Sequence, residues 1–381
     1  MTARTLLARS RRRSGGFTLV ELMVATFLGV LIITAITTLF TDVSQTNREM
    51  AKTTSMIENA RYAMQHLRED VLHAGFWGRY VPEFDDLSLG TAPTDVPNQV
   101  PDPCFPYTNW GSTLGYVDSL LGIPLQVSDV IPGTCGALLT DKVPDTDVLV
   151  VRHAEPCLPG VGGCEAEDAD RLYFQAAMCQ AQVDSGSTFQ LDPNSFPLLE
   201  RDCTTPAEKR RFIQNIYYVR SWALDPNEPV PTLVRSRFDV TASVPAQQAP
   251  EPLVQGIERF HVELGVDSVS DALQPVDPND PVIWSDINNR VSPTNRGDGI
   301  ADGTFVTCTT ASPCTPYQLM NVVAARLYVL ARATEETPGY TDTKRYQLGT
   351  RSVAPFNDGF KRHVFTNTVR LQNVSGRRET P

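Results

Sequence analysis

The sequence predicts an α+β protein in which one long N-terminal helix packs on a mainly antiparallel β-sheet. Residues 17–74 have an uninterrupted helical pattern, and all 29 prolines lie at or after Pro82. Beyond residue 146, β-branched and aromatic runs alternate with Pro, Gly and Asp. The 381 residues, 41% hydrophobic and 20% charged, exclude a disordered, collagen-like or multispanning chain.

The first 16 residues form a basic segment of their own. They hold no acidic residue and five arginines, which are Arg4, Arg9, Arg11, Arg12 and Arg13. The other 365 residues contain 28 basic and 44 acidic side chains, a net charge of −16. The apolar segment from Phe17 to Phe40 follows, with Glu21 as its one charge, and is long enough to cross the roughly 30 Å hydrocarbon core. The positive-inside rule predicts a single-pass protein with a cytoplasmic N-terminus and the rest outside.

The junction between these two segments has a recognisable order of residues. The run Gly16-Phe17-Thr18-Leu19-Val20-Glu21-Leu22, behind a short basic leader and ahead of an apolar helix, resembles the type IV prepilins and the related pseudopilins of type II secretion. The resemblance implies that prepilin peptidase cleaves after Gly16 and methylates the new N-terminal amine of Phe17. It also implies that Glu21 pairs with the Phe17 amine of a neighbouring subunit and fixes axial register in a filament.

The physical chemistry of Glu21 supports a functional role without the resemblance. A carboxylate inside an apolar membrane helix costs about 2.5 kcal/mol or more at mid-bilayer, so such a residue is a functional candidate. The competing interpretation is an interfacial glutamate that reaches the lipid headgroups.

Past the membrane segment the helix is expected to continue over residues 41–75. Its apolar stripe is predicted to pack on the protein's own globular part, with an exposed coiled-coil seam as the alternative. The stripe comprises Met50, Ile57, Ala60, Met64, Leu67, Val71 and Ala74. Four regions are therefore expected: a leader over 1–16, a transmembrane helix and filament core over 17–40, an amphipathic continuation over 41–75, and a β-rich domain over 76–381.

The rest of the chain is expected to form strands separated by long loops. The predicted strands are Asp147–His153, Arg171–Ala176, Phe212–Trp222, Thr232–Phe238, Leu253–Val266, Val322–Arg332, Arg345–Gly349 and His363–Gln372. Clean alternation over 257–264 predicts a sheet with one buried face.

Longer patterns resemble the PilW-like minor pilins and, more distantly, the J-type minor pseudopilins. The runs that resemble them are Glu58-Asn59-Ala60-Arg61-Tyr62-Ala63, Leu67-Arg68-Glu69-Asp70, Ala74-Gly75-Phe76, Ile216-Tyr217-Tyr218-Val219 and Arg362-His363-Val364-Phe365-Thr366-Asn367-Thr368-Val369. This implies a pilin-like fold and a minor pilin that initiates or caps a type IV pilus. The implied partners are prepilin peptidase, other minor pilins, the major pilin and a large tip adhesin. The competing hypotheses are a type II secretion pseudopilin and a membrane-tethered module that binds DNA or a surface.

Eight cysteines in an exported domain predict disulfides in long loops. Eight cysteines allow 105 connectivities, and the sequence alone does not choose among them. Short spacing favours Cys157–Cys164 and Cys308–Cys314, and Cys104–Cys135 with Cys179–Cys203 is one candidate pairing of the remaining four. A zinc site is the alternative, but no CxxC occurs and no histidine lies at ligand spacing to a cysteine pair.

No catalytic motif is present, and we expect neither an enzyme, a cofactor nor a metal. The stretch 277–303 is rich in Asp, Asn and Gly but departs from the calcium-loop spacing, so a solvated loop is expected there, and its Arg296-Gly297-Asp298 tripeptide is not expected to mediate adhesion. Asp85-Asp86 is expected to be solvated. Nucleic acid is not an expected ligand, because the −16 domain repels phosphate and the basic groups at 209–211 and 361–362 are short.

Overall fold

A computed structural model of the chain describes residues 16–286, 288 and 291–379. The arginine-rich leader through residue 15 lies outside the described residues. The described chain forms two compact units, one ending at Lys52 and one beginning at Thr53. Helix α1 spans Leu19–His73 and belongs to both.

The described part of the second unit contains four further short helices. They are α2 (Tyr116–Gly122), α3 (Gln180–Asp184), α4 (Pro316–Met320) and α5 (Gln372–Arg378), with 3₁₀ turns at Glu83–Asp85, Tyr107–Ser112 and Gly133–Ala137. Thr315 caps α4 through a reciprocal capping box with Gln318.

Thirteen strands are found among the described residues. They are β1 (Leu125–Ser128), β2 (Val148–Ala154), β3 (Tyr173–Ala176), β4 (Phe189–Asp192), β5 (Lys209–Arg220), β6 (Thr232–Thr241), β7 (Val244–Gln247), β8 (Glu251–Gln255), β9 (Ile257–Val266), β10 (Val322–Arg332), β11 (Tyr346–Leu348), β12 (Arg351–Val353) and β13 (Arg362–Arg370). Every named pairing is antiparallel.

The strands form three sheets, whereas the sequence predicted one. An eight-stranded sheet has the order β1-β2-β5-β3-β4 with β6, β7 and β8 joined through β5, a three-stranded sheet has the order β13-β10-β9, and β11 pairs with β12. The predicted strand Leu253–Val266 is two strands, because Gly256 at φ +78° turns the chain from the first sheet into the second. A Cβ at Gly256 would lie 2.7 Å from the Arg332 carbonyl oxygen.

The main core lies between the second unit's part of α1 and the two larger sheets. Six residues of α1 are buried there, namely Met56, Ala60, Ala63, Met64, Leu67 and Val71. The predicted stripe therefore packs on the globular part from Met56 onwards. Met50 is 63% exposed and does not belong to the buried stripe. The α+β architecture predicted from the sequence is confirmed.

The second core is aromatic and lies beyond the end of α1. Trp77 and Trp110 pack with Phe174, Phe212 and Phe238. Ring centroids lie 5.4 Å apart for Trp77 and Phe174, and 5.4 Å apart for Trp110 and Phe238. Such aromatic pairs stabilise a core beyond their buried area.

Strand β9 is buried on both faces, in contrast to the single buried face predicted. Its polar residues His261 and Glu263 are 1% and 2% exposed. The turn between β11 and β12 covers Glu263, since the Thr350 N–H donates to Glu263 Oε1 at 2.7 Å. His261 Nδ1 lies 2.6 Å from Asp147 Oδ2. Local alternation could not reveal these contacts, because they come from segments more than eighty residues away in the sequence.

Candidate assembly site

The predicted cleavage site lies just before α1 and is accessible. Gly16 and Phe17 precede the first helical residue, Leu19, and Phe17 is 90% exposed. Among the described residues, its chain neighbours aside, no atom lies within 4 Å of where a Cβ on Gly16 would be. The peptide bond between the two residues is therefore open to a peptidase.

Thr18 and Glu21 form a capping box at the start of α1. Glu21 Oε2 accepts hydrogen bonds from the Thr18 N–H at 2.9 Å and the Thr18 hydroxyl at 2.8 Å. The Glu21 N–H donates to Thr18 Oγ1 at 3.2 Å. This arrangement satisfies helix-end donors and places a carboxylate at the positive end of the helix dipole. The T-x-x-E spacing was readable in the sequence, but Thr18 was not identified as the partner.

The first unit exposes nearly all of its apolar side chains. The large exposed residues are Phe17, Leu19, Val20, Leu22, Met23, Val24, Phe27, Leu28, Val30, Leu31, Ile32, Ile33, Ile36, Leu39, Phe40, Val43 and Met50. By length and composition, α1 could cross a membrane, and it is the one described helix that meets this criterion. A continuous apolar surface of this extent indicates lipid or partner helices as its surroundings.

The threonines within this apolar stretch satisfy their own hydroxyl groups. The Thr34 and Thr37 hydroxyls donate to the Val30 and Ile33 carbonyls at 2.8 and 2.7 Å. Such bonds to the preceding turn allow hydroxyl groups to lie in an apolar environment. Glu21 is the one acidic or basic side chain between Phe17 and Phe40.

In the second unit, the partly buried carboxylate of Asp70 links α1 to the large sheet. Asp70 lies 3.0 Å from His153 Nε2 and accepts two hydrogen bonds from Asn215 at 3.1 and 3.0 Å. Burial alone would raise the pKa of Asp70, but the hydrogen bonds and charge of His153, together with Asn215, lower it overall. The helix is therefore fixed to β2 and β5 by polar contacts as well as by its apolar face.

The chain's end is bound to a carboxylate from near the end of α1. Asp85 is 3% exposed and pairs with Arg377 and Arg378, each at 2.8 Å. Burial opposes ionisation, but the two guanidinium groups hold the pKa of Asp85 below its usual value. Arg378 also contacts Asp267 at 3.2 Å, and burial raises the pKa of Asp267 to about 6. Asp85 is buried, not solvated as the sequence suggested.

A second buried ion cluster surrounds Arg362, whose side chain is fully buried. Its guanidinium contacts Glu258, Asp342 at 2.9 Å and Asp358 at 2.6 Å. Its carbon Cζ lies 3.7 Å from the Phe356 ring centroid. The basic group at 361–362 is thus partly structural, and Arg211 in the group at 209–211 is also buried.

The structure contains four disulfides. Cys104–Cys135 and Cys179–Cys203 have Cα separations of 5.1 and 4.9 Å. Cys157–Cys164 and Cys308–Cys314 have Cα separations of 6.3 and 5.0 Å. All eight cysteines are paired, and each bridge closes a loop in the second unit. Such loop closure stabilises a fold mainly by constraining the unfolded chain.

Several described residues of the stretch 277–303 are buried or hydrogen-bonded, in contrast to the solvated loop expected from the sequence. Arg296 is 3% exposed and donates to the Asp277 and Asp280 carbonyls, each at 2.6 Å, so the Arg296-Gly297-Asp298 tripeptide does not present its arginine to solvent. Asp302 accepts the N–H groups of Ser268 and Val269 at 2.7 and 2.9 Å. Across the described residues, no cluster of three or more His, Cys, Asp or Glu side chains could hold a metal ion.

Two segments of the chain match known families. Residues 11–37 match the prokaryotic N-terminal methylation motif, and residues 216–373 match the type IV pilus-assembly protein W family, PilW. Among solved structures, a type IV-like pilin from Thermus thermophilus is similar over 66% of this chain and 84% of its own, at 13% identity and a TM-score of 0.25. No curated protein sequence matches the chain.

The methylation motif lies at the start of an exposed apolar helix, and a disulfide-bearing α+β unit follows that helix. Together these features define a protein of the type IV prepilin class. Within that class, residues 216–373 of this chain match the PilW family of type IV pilus-assembly proteins. It is a structural subunit and not an enzyme. The motif implies processing by prepilin peptidase, assembly with other pilins, and anchoring in the inner membrane before incorporation into the pilus.

Proposed function

We propose that this chain is a minor pilin of the complex that initiates or caps a type IV pilus. Cleavage after Gly16 leaves Phe17 as the methylated N-terminus. The segment 17–40 then acts as membrane anchor and later as filament core, with the globular part on the periplasmic side. The observation that carries the proposal is the exposed apolar half of α1, with one carboxylate four residues beyond an accessible Gly16–Phe17 bond.

The size of the globular part favours a terminal position over the repeating shaft. About three hundred residues follow the helix, and all four disulfides lie within them. A subunit this bulky is poorly suited to close helical repetition along a shaft. Its partners are then other minor pilins, the major pilin and a large tip adhesin.

Two other functions share parts of this geometry. A J-like pseudopilin of type II secretion would have the same N-terminal chemistry. A membrane-tethered module for DNA or a surface would use the globular part alone. The pilus role is preferred because the PilW match lies in the globular part, over residues 216–373.

Deleting the gene tests the assembly role directly. We expect few or no surface pili by electron microscopy, restoration by the wild-type chain, and unchanged export of type II secretion substrates. Normal pilus number and length in the deletion strain would contradict the assembly role. Lost secretion with normal pili would establish the pseudopilin alternative.

Replacing Gly16 with leucine tests the cleavage position. A branched side chain at the residue before the scissile bond is expected to block the peptidase, so that the precursor retains its 16-residue leader on immunoblots and by mass spectrometry. Gly29→Leu is the matched control, because a Cβ at Gly29 also meets no neighbour within 4 Å. A Gly16→Leu chain that still begins at Phe17 would disprove this cleavage position.

A further inference from the structure

The two edges of the β13-β10-β9 sheet differ. The outer edge of β9 is closed, because Leu264 and Val306 exchange backbone hydrogen bonds at 2.8 Å and the Asp147 N–H donates to the Phe260 carbonyl at 2.9 Å. Strand β13 pairs with β10 on one side, and none of the described strands pairs with its other side. The fold thus covers one edge and leaves the other open.

The register shows which backbone groups of β13 point outward. The Ala333 N–H donates to the Lys361 carbonyl at 2.9 Å, and the Leu371 N–H donates to the Val323 carbonyl at 2.8 Å. Because hydrogen-bonded pairs alternate along an antiparallel ladder, the odd-numbered residues of β13 bond to β10. The N–H and C=O groups of Val364, Thr366 and Thr368 therefore point outward, and no other described residue bonds to them.

This open edge lacks the usual features that prevent pairing with another chain. Edge strands are commonly protected by proline, lysine, a bulge or a covering segment. From His363 to Val369, β13 contains no proline, lysine or acidic residue, and its pairing with β10 has no bulge. Thr366 and Thr368 are exposed. This unprotected seven-residue edge is a template for an added strand.

Two hollows lie along this edge, on opposite faces of the sheet. A groove of about 370 Å³ lies between Met56, Ile57 and Arg61 of α1 and the odd-numbered residues His363 and Phe365. Further along, a hollow of about 410 Å³ adjoins the even-numbered residues Thr368 and Arg370. Successive side chains of a strand point to opposite faces, so one added strand would place alternate side chains in both hollows.

The charge of the first groove indicates what kind of strand fits. Arg61 and Lys344 are exposed at its rim, and none of the described residues that line it is acidic. Its floor contains Met56, Ile57 and Phe365, which are apolar. On a chain whose net charge is −16 without the leader, this local positive charge selects an acidic partner by complementarity.

We infer that β13 accepts an added strand from another protein, an extended segment that alternates acidic and apolar residues. The backbone groups of Val364, Thr366 and Thr368 would supply affinity, and the two hollows with Arg61 and Lys344 would supply specificity. This surface is distinct from Glu21 and the apolar segment 17–40, and its binding does not depend on the proposed place in the pilus.

Binding to the purified full-length chain in detergent tests the inference without requiring pili. The probe is a fluorescein-labelled peptide of seven alternating valine and glutamate residues, compared by anisotropy with the valine–lysine peptide. We expect a Kd below about 1 mM for the glutamate peptide and at least about tenfold weaker binding of the lysine peptide. Equal binding of both peptides, or no binding of the glutamate peptide, would overturn the inference.

Two variants at one position separate backbone pairing from side-chain effects. Thr366→Pro removes an outward N–H while leaving the bonds to β10, whereas Thr366→Val keeps that N–H and the β-branched shape. We expect about tenfold weaker peptide binding for Thr366→Pro and for Lys344→Glu, and unchanged binding for Thr366→Val. Equal losses of peptide binding for the two Thr366 variants would contradict backbone pairing at β13. A homodimer that Thr366→Pro abolishes would show that this edge pairs with a second copy of the chain and not with a different protein.

Discussion

Replacing Glu21 with leucine is expected to abolish incorporation of this subunit into pili. In the proposed filament, the Glu21 carboxylate neutralises the Phe17 ammonium of a neighbour in an apolar surrounding. Removing one partner of a buried ion pair costs about 3–5 kcal/mol. Because each 1.4 kcal/mol is a factor of ten, incorporation should fall by about a hundredfold or more. Immunoblots of sheared pili against whole-cell levels measure this.

Three variants separate charge pairing from helix capping. Asp42→Leu removes another exposed carboxylate from α1 and should leave assembly unchanged. Glu21→Gln keeps an oxygen that can accept the Thr18 hydrogen bonds but removes the charge, and should fail as Glu21→Leu does. Thr18→Val loses the capping hydroxyl and should cost only about 1 kcal/mol of helix stability. Wild-type assembly of the Glu21→Gln variant would show that capping, not ion pairing, is the role of Glu21.

Replacing Arg362 with methionine is expected to lower the free energy of unfolding of the second unit by about 3–5 kcal/mol. The substitution leaves Glu258 and Asp342, at 5% and 0% exposure, without the guanidinium that lies between them. It also removes the contact with the Phe356 ring. Urea unfolding followed by tryptophan fluorescence reports on this unit, because all four tryptophans, at positions 77, 110, 222 and 284, lie within it.

The matched control for Arg362→Met is Arg345→Met, which replaces an exposed arginine near β11. This control should change the free energy of unfolding by no more than about 0.5 kcal/mol.

The destabilisation by Arg362→Met should also depend on pH. A hydrogen bond from Arg362 lowers the pKa of Asp358, so this carboxyl stabilises the wild type above its unfolded pKa of about 3.8, and the gain is lost as pH falls through the lower folded pKa. The difference in free energy of unfolding between the wild type and Arg362→Met should therefore become smaller below about pH 4. A variant as stable as wild type at pH 7 would contradict the structural role.

The sequence predicted the long helix and most strands because their signals are local. Strand β10 lies at the predicted Val322–Arg332, and the apolar stripe of α1 predicts the buried Ala60, Leu67 and Val71. The short strands β1, β4, β7 and β12 were missed. Each has three or four residues and is held by pairing with a neighbour, so its own composition is a weak signal.

The division into separate sheets depended on one glycine. The run from Leu253 to Val266 reads as a continuous strand, and only the contact between Gly256 and Arg332 in space shows where it changes partners. Similarly, the burial of Asp85 depends on Arg377 and Arg378, almost three hundred residues later. Composition near Asp85 contains no information about these partners.

The sequence by itself determined the N-terminal processing motif, the apolar segment with its single carboxylate, and the α+β class. These features are contiguous, and their chemistry depends on neighbours in the chain. Only the tertiary structure decided which charges are buried, that β9 is covered on both faces, and that the outer edge of β13 is open. Burial and the pairing of strand edges are set by contacts between segments far apart in the sequence. Hydrophobic periodicity and residue spacing describe only local structure, so they do not reveal these contacts.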